Sequence, residues 1–533
     1  MKAVGLVCLP RCSLPEGRVN VLLLSMPDSF EHMPSIAIRL PNGALGSLAG
    51  NVDEHHHVAA ADLILAQSDV GRTVTRLMAD HAPDVVGLSI MTFQRRTAQR
   101  VMRLVRALKP DVRIVVGGYD PTLAPDAYTD SADGPEFIVR GEGEITLREL
   151  LRAIERRNGY DDIIGLSFRD GAEYRHNPDR PPANLNAGDI QPPRRASRVL
   201  DGYTLLGRRV DVVETSRGCT FDCSFCSIIE MRGRNFFAYP MERVIADIRD
   251  AHDRGARAIF LVDDNIVLNV RRFEALCHAI IDAGLAHIDY VVQAMTSTIA
   301  NHGATLAPLM RRAGFRYVFL GIENILEQDL EFLRARRKNT KREDGRSAGN
   351  ASLDAVRHLR SNGMYVVGGL IVGNPDDTME SIEANLEFAR HHVDWPYIQH
   401  PMPYPRTPMT QDFRAQGLIE SERVEEYDGT TPVVRTRHLS RNDVAFLRWR
   451  AERWMKLRHM PVAFRHDPGF VLRNARRMAA HTFRGSTWRT WLRVEDERRA
   501  FERYCAIRER EREYLADVGV APEPVLAALL PIE

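Results

Sequence analysis

The chain has 533 residues, enough for two to four domains at roughly 100–200 residues each. Lys+Arg (72) balance Asp+Glu (71), and 44% hydrophobic against 27% charged residues is the make-up of a globular protein with several cores. This excludes predominant disorder and a polyanion-coating protein, and the longest apolar runs (19–26, 364–372) are too short or too broken for a membrane span.

Residues 1–17 read as an N-terminal tail, because Pro10, Arg11 and Cys12 interrupt an apolar patch that a secretory signal would continue. From 18 to 158, strand and helix patterns alternate. VNVLLLS, VVGLSI and RIVVGG are short apolar runs that predict buried strands. TFQRRTAQRVMRLVRALKP places Val101, Leu104, Val105 and Leu108 at helical spacing before Pro110. Such repetition predicts a parallel sheet covered by helices, with ligands at the carboxyl ends of its strands. Gly117-Gly118 lies at one such end, where it either lets a ligand approach the backbone or simply makes a tight turn.

Residues 159–209, rich in Pro, Arg, Asn and Asp, read as an extended connector packed along a neighbour. From 210 to 420 the alternation restarts, with strand candidates at 210–215, 258–262, 290–293, 317–321 and 365–372. Five or six such units predict a (β/α) barrel or partial barrel. Residues 421–533 read mostly as helix. Between 441 and 500 there are 14 Arg and one Lys against six acids, together with Trp449, Trp454, Trp488 and Trp491. An acidic partner, a membrane surface or a nucleic acid could use this charge; the plainer reading is a helical cap whose arginines pair with acids on the barrel and whose tryptophans pack inward.

Seven cysteines make no disulfide scaffold, but Cys219, Cys223 and Cys226 fall within eight residues of ETSRGCTFDCSFCS. That cluster reads as a metal site in a reducing compartment, which points to the cytoplasm. It directly follows the first barrel strand, on the rim where barrels do chemistry. Four thiolates would close a zinc site or saturate an iron–sulfur cube. Three leave one corner of a [4Fe–4S] cube open to an amine and a carboxylate. Zinc with a distant fourth ligand, such as Cys277 or a histidine, is the alternative.

Cys-x3-Cys-x-aromatic-Cys, with Phe225 in the aromatic place, resembles the signature of the radical S-adenosylmethionine (radical SAM) enzymes. The domain ahead resembles the cobalamin-binding domain of one subclass, through VLLLSMP, GLSIM around Ser89, VVGGYDPTLAPD around Gly117 and Gly118, and FIVRGEGEITLRELL around Glu142. In the barrel, LVDDNIVLN, YVFLGIEN and GGLIVGNPDDT match in order. The resemblance implies an α/β fold: an N-terminal flavodoxin/Rossmann-like cobalamin-binding domain, a (β/α) partial-barrel radical SAM domain and a helical C-terminal region. It implies that Cys219, Cys223 and Cys226 hold a [4Fe–4S] cluster whose open iron is chelated by S-adenosylmethionine. Phe225 would lie near the adenine, and Asp263, Asp264 and Glu323 near the ribose and methionyl amine. Gly321, Gly369, Ile371 and Gly373 would complete the site, with Gln293 and Tyr404 facing the cavity. Ser89, Gly117, Gly118 and Glu142 would serve cobalamin. Each also has a plain structural reading: Asp263 and Asp264 as helix caps, Glu323 as an ion-pair partner, Gly369 and Gly373 as packing glycines.

Cobalamin domains of one type carry Asp-x-His-x-x-Gly. Here His32 is mis-spaced and DEHHHV has Val58 where glycine belongs, so His55, His56 and His57 read as a solvated loop or strand start. The resemblance then implies cobalamin without a protein imidazole on cobalt, or a domain that kept the fold alone. The expected activity is cobalamin-dependent methylation of an unactivated carbon through a 5′-deoxyadenosyl radical. The substrate would be a small molecule, anionic or membrane-associated if Arg473, Arg476 and Arg477 help to bind it, and the electron donor of flavodoxin or ferredoxin type. Alternatives are a radical cyclisation, a tRNA methylthiotransferase lacking its further cysteines, and a non-catalytic iron–sulfur protein; no nucleic acid is expected.

Overall fold

In a computed structural model the chain is described at residues 17–29, 37–129, 133–343, 346–492 and 495–515. The tail before Gly17, His32 and the side chains of Trp488 and Trp491 lie outside the described set. The leading unit contributes β1 (Asn20–Ser25), β2 (Ile38–Arg39), β3 (His57–Asp62), β4 (Val85–Ser89), β5 (Arg113–Gly117), β6 (Phe137–Val139), β7 (Leu166–Asp170) and β8 (Glu173–His176). All but β2 form one sheet in the order β3-β1-β4-β5-β6-β7-β8, parallel from β3 to β6 and antiparallel at β7 and β8. Leu22, Leu24, Val86, Leu88, Ile114 and Val116 pack on one side against Val101, Leu104 and Val105 of the helix Arg95–Leu108. Leu23, Val85, Val115 and Val139 pack on the other against Leu147, Leu150 and Leu151 of the helix Gly143–Arg156. The 180° alternation of strand side chains divides these two cores.

Two features depart from the sequence reading. β3 is an edge strand built on Ala59, Ala60 and Ala61, all at most 1% exposed; alanine is a weak strand signal, so only pairing with β1 reveals it. The stretch 159–209 is not wholly an extended connector. β7 and β8 fold back as a hairpin on the leading sheet, because Leu166 and Phe168 belong to its core.

The second unit adds β9 (Thr204–Leu205), β10 (Arg208–Val213), β11 (Ser216–Arg217), β12 (Phe237–Ala238), β13 (Ala258–Leu261), β14 (Asp289–Met295), β15 (Phe315–Glu323), β16 (Thr340–Glu343), β17 (Arg346–Asn350), β18 (Tyr365–Ile371) and β19 (Trp395–Gln399). β10, β13, β14, β15, β18 and β19 are parallel neighbours in that order, a six-stranded partial barrel. The sixth strand escapes sequence inspection because Pro396 interrupts it, which only an edge strand tolerates. Ile259, Tyr290, Val292, Phe315, Val318 and Leu320 face the surrounding helices and are fully buried, whereas Gln293, Phe319 and Tyr397 face inward and are more open. At the other edge β10 pairs with β9, and β9 with β2 from the leading unit.

The C-terminal helices are Arg441–His466, Pro468–Thr482, Trp488–Trp491 and Glu497–Glu511. Most of their charge is internal. Arg453 pairs with Glu497, Arg498 with Asp443 and Arg508 with Asp428, while Trp449 packs on Phe446 and Phe501. Trp454 is 46% exposed.

Candidate functional site

The cysteine loop leaves the barrel between β11 and β12, and each of its sides is tied down. Gly218 has φ +92°, and a β-carbon there would stand 2.5 Å from the Asn235 carbonyl oxygen, so only glycine fits. Its N–H donates to Asp264 Oδ2 at 2.7 Å. Asp263 accepts the Thr215 N–H at 2.7 Å and the hydroxyls of Thr215 and Ser216. Asn265 points its amide at Cys219 Sγ, 3.6 Å away. On the far side Ser224 donates its N–H and its hydroxyl to the carbonyls of Leu333 and Phe332, each at 3.0 Å, and its own carbonyl accepts the Met409 N–H at 2.9 Å.

Asp263 and Asp264 therefore fasten the loop, through both oxygens of Asp263 and through Oδ2 of Asp264. They do not cap the next helix, whose N-cap is Asn269. Burial pushes the Asp263 carboxyl up to about 7, against the hydrogen bonds from Ser216 and Thr215.

The thiols of Cys223 and Cys226 sit in a satellite core with Leu333, Ile371, Met402, Met409 and Phe413, whereas Cys219 lies beside Asn265. Burial pushes the Cys226 thiol up to about 12 and raises that of Cys223, so both must shed a proton on binding metal.

Lys338, which sequence reading missed, stands over Phe225, its ammonium 5.5 Å from the ring centroid, and pairs with Glu323. Burial opposes its charge, but Glu323 and the thiols of Cys223 and Cys226 raise its pKa overall. It lies in a run, RRKNTKRE, that does not distinguish one cation from the next. Glu323 takes φ +59° at a bulge in β15, and the absent side chain of Gly321 leaves room for its carboxylate.

The remaining expected contacts divide. Gln293 is exposed on the inner face of β14, and Tyr404 donates its hydroxyl to the Tyr427 carbonyl at 3.2 Å. Ile371 packs beside Cys223, and its carbonyl accepts the Asn324 amide at 3.1 Å. At Gly369 a β-carbon would meet Phe319 Cζ at 2.7 Å, and the Gly373 N–H donates to Asp377 Oδ2 at 2.7 Å. Gly369 thus makes room for Phe319, and Gly373 takes part in a local turn with Asp377.

Above the loop, a cavity of about 380 Å³ separates the carboxyl ends of the leading sheet from the barrel. Ser89, Gly117, Gly118 and Glu142 all line it, with Glu214, Arg217 and Arg232 opposite. Gly118 has φ +102° and a β-carbon there would stand 2.9 Å from the Ile90 carbonyl oxygen, whereas one on Gly141 would meet nothing within 4 Å and would project into open space. Arg217, two residues before Cys219, reaches Glu144 at 2.6 Å, Glu214 at 2.8 Å and Glu142 at 3.4 Å. Burial alone would raise the Glu144 carboxyl, but Arg217 and Ser47 hold it down at about 2. Glu142 also accepts the Ala183 N–H at 2.8 Å.

None of the described residues lining the cavity is a histidine. His57 opens β3 at the opposite end of the sheet. His56 differs from the solvated loop expected: it is 3% exposed and accepts the Val19 N–H on Nδ1. The glycines at the carboxyl ends of the sheet leave a cavity that fits a corrinoid, and three thiols on one loop fit three corners of a cube.

Comparison with known proteins identifies two domains. Residues 213–389 match the Radical SAM superfamily and residues 39–151 the B12 binding domain. The chain is 28% identical over 463 residues to the uncharacterised methyltransferase PH0819 of Pyrococcus horikoshii, covering 86% of this chain and 97% of that one. It is 25% identical over 407 residues to the anaerobic magnesium-protoporphyrin IX monomethyl ester cyclase of Cereibacter sphaeroides, covering 74% of this chain and 63% of the relative. Its fold resembles that of OxsB, a cobalamin-dependent S-adenosylmethionine radical enzyme solved with aqua-cobalamin and S-adenosylmethionine, with TM-score 0.63, 17% identity, and coverage of 96% and 78%. With a B12 binding domain ahead of a radical SAM partial barrel, the chain belongs to the cobalamin-binding radical SAM enzymes, whose cofactors are a [4Fe–4S] cluster, S-adenosylmethionine and cobalamin.

Proposed function

We propose that this enzyme methylates an unactivated carbon of a small molecule. The observation that carries the reading is the shared wall between the two sites: Arg217 and Arg232 line the cavity of the B12 domain and belong to the segment bearing the three cysteines. Bound there, the cluster supplies the electron that splits the sulfonium of S-adenosylmethionine to a 5′-deoxyadenosyl radical, and methylcobalamin supplies a methyl group.

The chain's own part is to bind, orient and exclude. Cys219, Cys223 and Cys226 supply three donors. Lys338 and Glu323 offer opposite charges at the loop, complementary to the carboxylate and amine of an amino acid. Phe225 offers a flat apolar face, and Gln293, Phe319 and Tyr397 line the concave wall where a substrate carbon would lie. Phe413, Met409 and Met402 keep water from the Cys223 and Cys226 sulfurs. Arg473, by contrast, stands beside Gly207 at the amino-terminal end of β10, away from the loop. A flavodoxin or ferredoxin would deliver the electron. No helix among the described residues is long and apolar enough to cross a membrane.

The test is anaerobic reconstitution with iron, sulfide and cobalamin, then turnover of a cell extract with methyl-deuterated S-adenosylmethionine. A product carrying the label, together with 5′-deoxyadenosine, is expected. The likeness to the Cereibacter cyclase favours ring closure as the second reading, which predicts 5′-deoxyadenosine and an unlabelled product. Zinc in place of iron, or S-adenosylmethionine left intact after reduction, overturns both.

A further inference from the structure

Two histidines lie outside both sites. His252 is on the last turn of the helix Met241–Asp253, and His287 is on the loop between the helix Val270–Asp282 and β14, at the barrel rim opposite the cysteines. Their Nε2 atoms are 3.1 Å apart, with ring centroids 5.0 Å apart and planes at 86°. Hydrogen bonding at the other nitrogens decides where the protons lie. His287 Nδ1 is 2.9 Å from the Gly284 carbonyl oxygen, which can only accept, so Nδ1 carries the hydrogen. His252 Nδ1 is 3.1 Å from an Asp253 carboxylate oxygen, again an acceptor. With a hydrogen on each Nδ1 and none shared between the rings, both Nε2 atoms present lone pairs to each other. Two lone pairs this close repel unless a positive centre lies between them.

An ion ~2.0–2.1 Å from each nitrogen would see them at about 95–100°, near a tetrahedral angle. Each ring already has the partner that fixes a metal-binding histidine, a carboxylate on one and a carbonyl on the other. We infer that His252 and His287 form a surface site for a divalent cation of the zinc class, with water completing its coordination. The site joins the end of one barrel helix to the loop that follows the next. It is independent of the radical chemistry at the opposite rim.

The test uses the assembled enzyme, with iron and cobalamin in place, dialysed against low-micromolar zinc chloride and assayed for zinc, iron and cobalt per chain. The parent should take up one zinc with iron and cobalt unchanged. His252→Ala and His287→Ala should each abolish that uptake, and Asp253→Asn should weaken it about tenfold. His55→Ala, at a separate histidine, should retain it, and zinc should raise the thermal midpoint of the parent but not of His252→Ala. The inference fails if the parent binds no zinc, the two rings then sharing a proton. It fails also if both alanine variants bind zinc normally, or if zinc enters only as iron leaves.

Discussion

Each thiol of the cysteine loop would be one of three protein donors, and the burial that raises the Cys223 and Cys226 thiol pKa values would also shield metal bound there. Replacing Cys219, Cys223 or Cys226 by Ala should cut reconstituted iron below half of the parent's and abolish 5′-deoxyadenosine formation. Cys277→Ala, at a thiol buried under the barrel helices, should keep the full iron content. Asp28 gives a pH prediction. It is 4% exposed; one oxygen accepts the Thr97 hydroxyl at 2.8 Å and the other has no partner among the described residues. Burial raises its carboxyl from 3.8 to about 8. Between those values the folded chain keeps a proton that the unfolded chain releases, so stability falls as pH rises, by at most about 1.4 kcal/mol per unit. Asp28→Asn should therefore raise the thermal midpoint relative to the parent more at pH 8 than at pH 5. An equal shift at both would refute the account. The three cysteines are legible in the sequence because their chemistry depends on type and local spacing. Lys338 is not, since its neighbours Glu323 and Phe225 arrive from other elements.

The elements around the loop explain why a short segment of chain can present three donors. Asp264 just after β13, the end of the helix Glu327–Phe332 and the start of the helix Pro408–Ala415 each share hydrogen bonds with it, and Gly218 turns it back against Asn235. Gly218→Ala should both clash with the Asn235 carbonyl and strain a left-handed backbone, on the order of 1–3 kcal/mol for the strain alone. The expected result is lost iron with a nearly unchanged circular dichroism spectrum, because the barrel's own core does not touch this position. Five of the six barrel strands are visible in the sequence as apolar runs. β3 and β19 are hidden for opposite reasons, the first by alanines whose burial depends on their partner strand, the second by a proline that the edge position permits. Asp263 and Asp264 show the limit of motif reading: the positions were legible, but whether a strand-end acid meets a ligand or the chain itself is set by the loop packed above it.

Across the whole molecule, the two units communicate through Arg217, buried against Glu142, Glu144 and Glu214. Glu144→Gln removes one partner from a dry ion cluster, a change that costs about 3 kcal/mol where a buried pair is broken. Cobalt retained per chain should fall, while iron falls little because the loop keeps its other ties. The Glu144 carboxyl is depressed, so its contribution is complete above its unfolded value of 4.5 and is lost only as pH drops through about 2. Cobalamin retention should accordingly be unaffected by this group at pH 5; a loss centred there would point to another acid. The order of the two units is legible from their repeated strand–helix pattern, but this contact is not, because it joins positions 73 residues apart.

The pairing of Ile38 and Arg39 with Thr204 and Leu205 has a consequence for how such enzymes can be recombined. A graft that exchanges the front half of the chain also exchanges the selvedge of the barrel, so a donor must bring a matching ribbon as well as a corrin cradle. A barrel expressed without it would carry a raw margin beside β9, ready to zip onto another copy of itself.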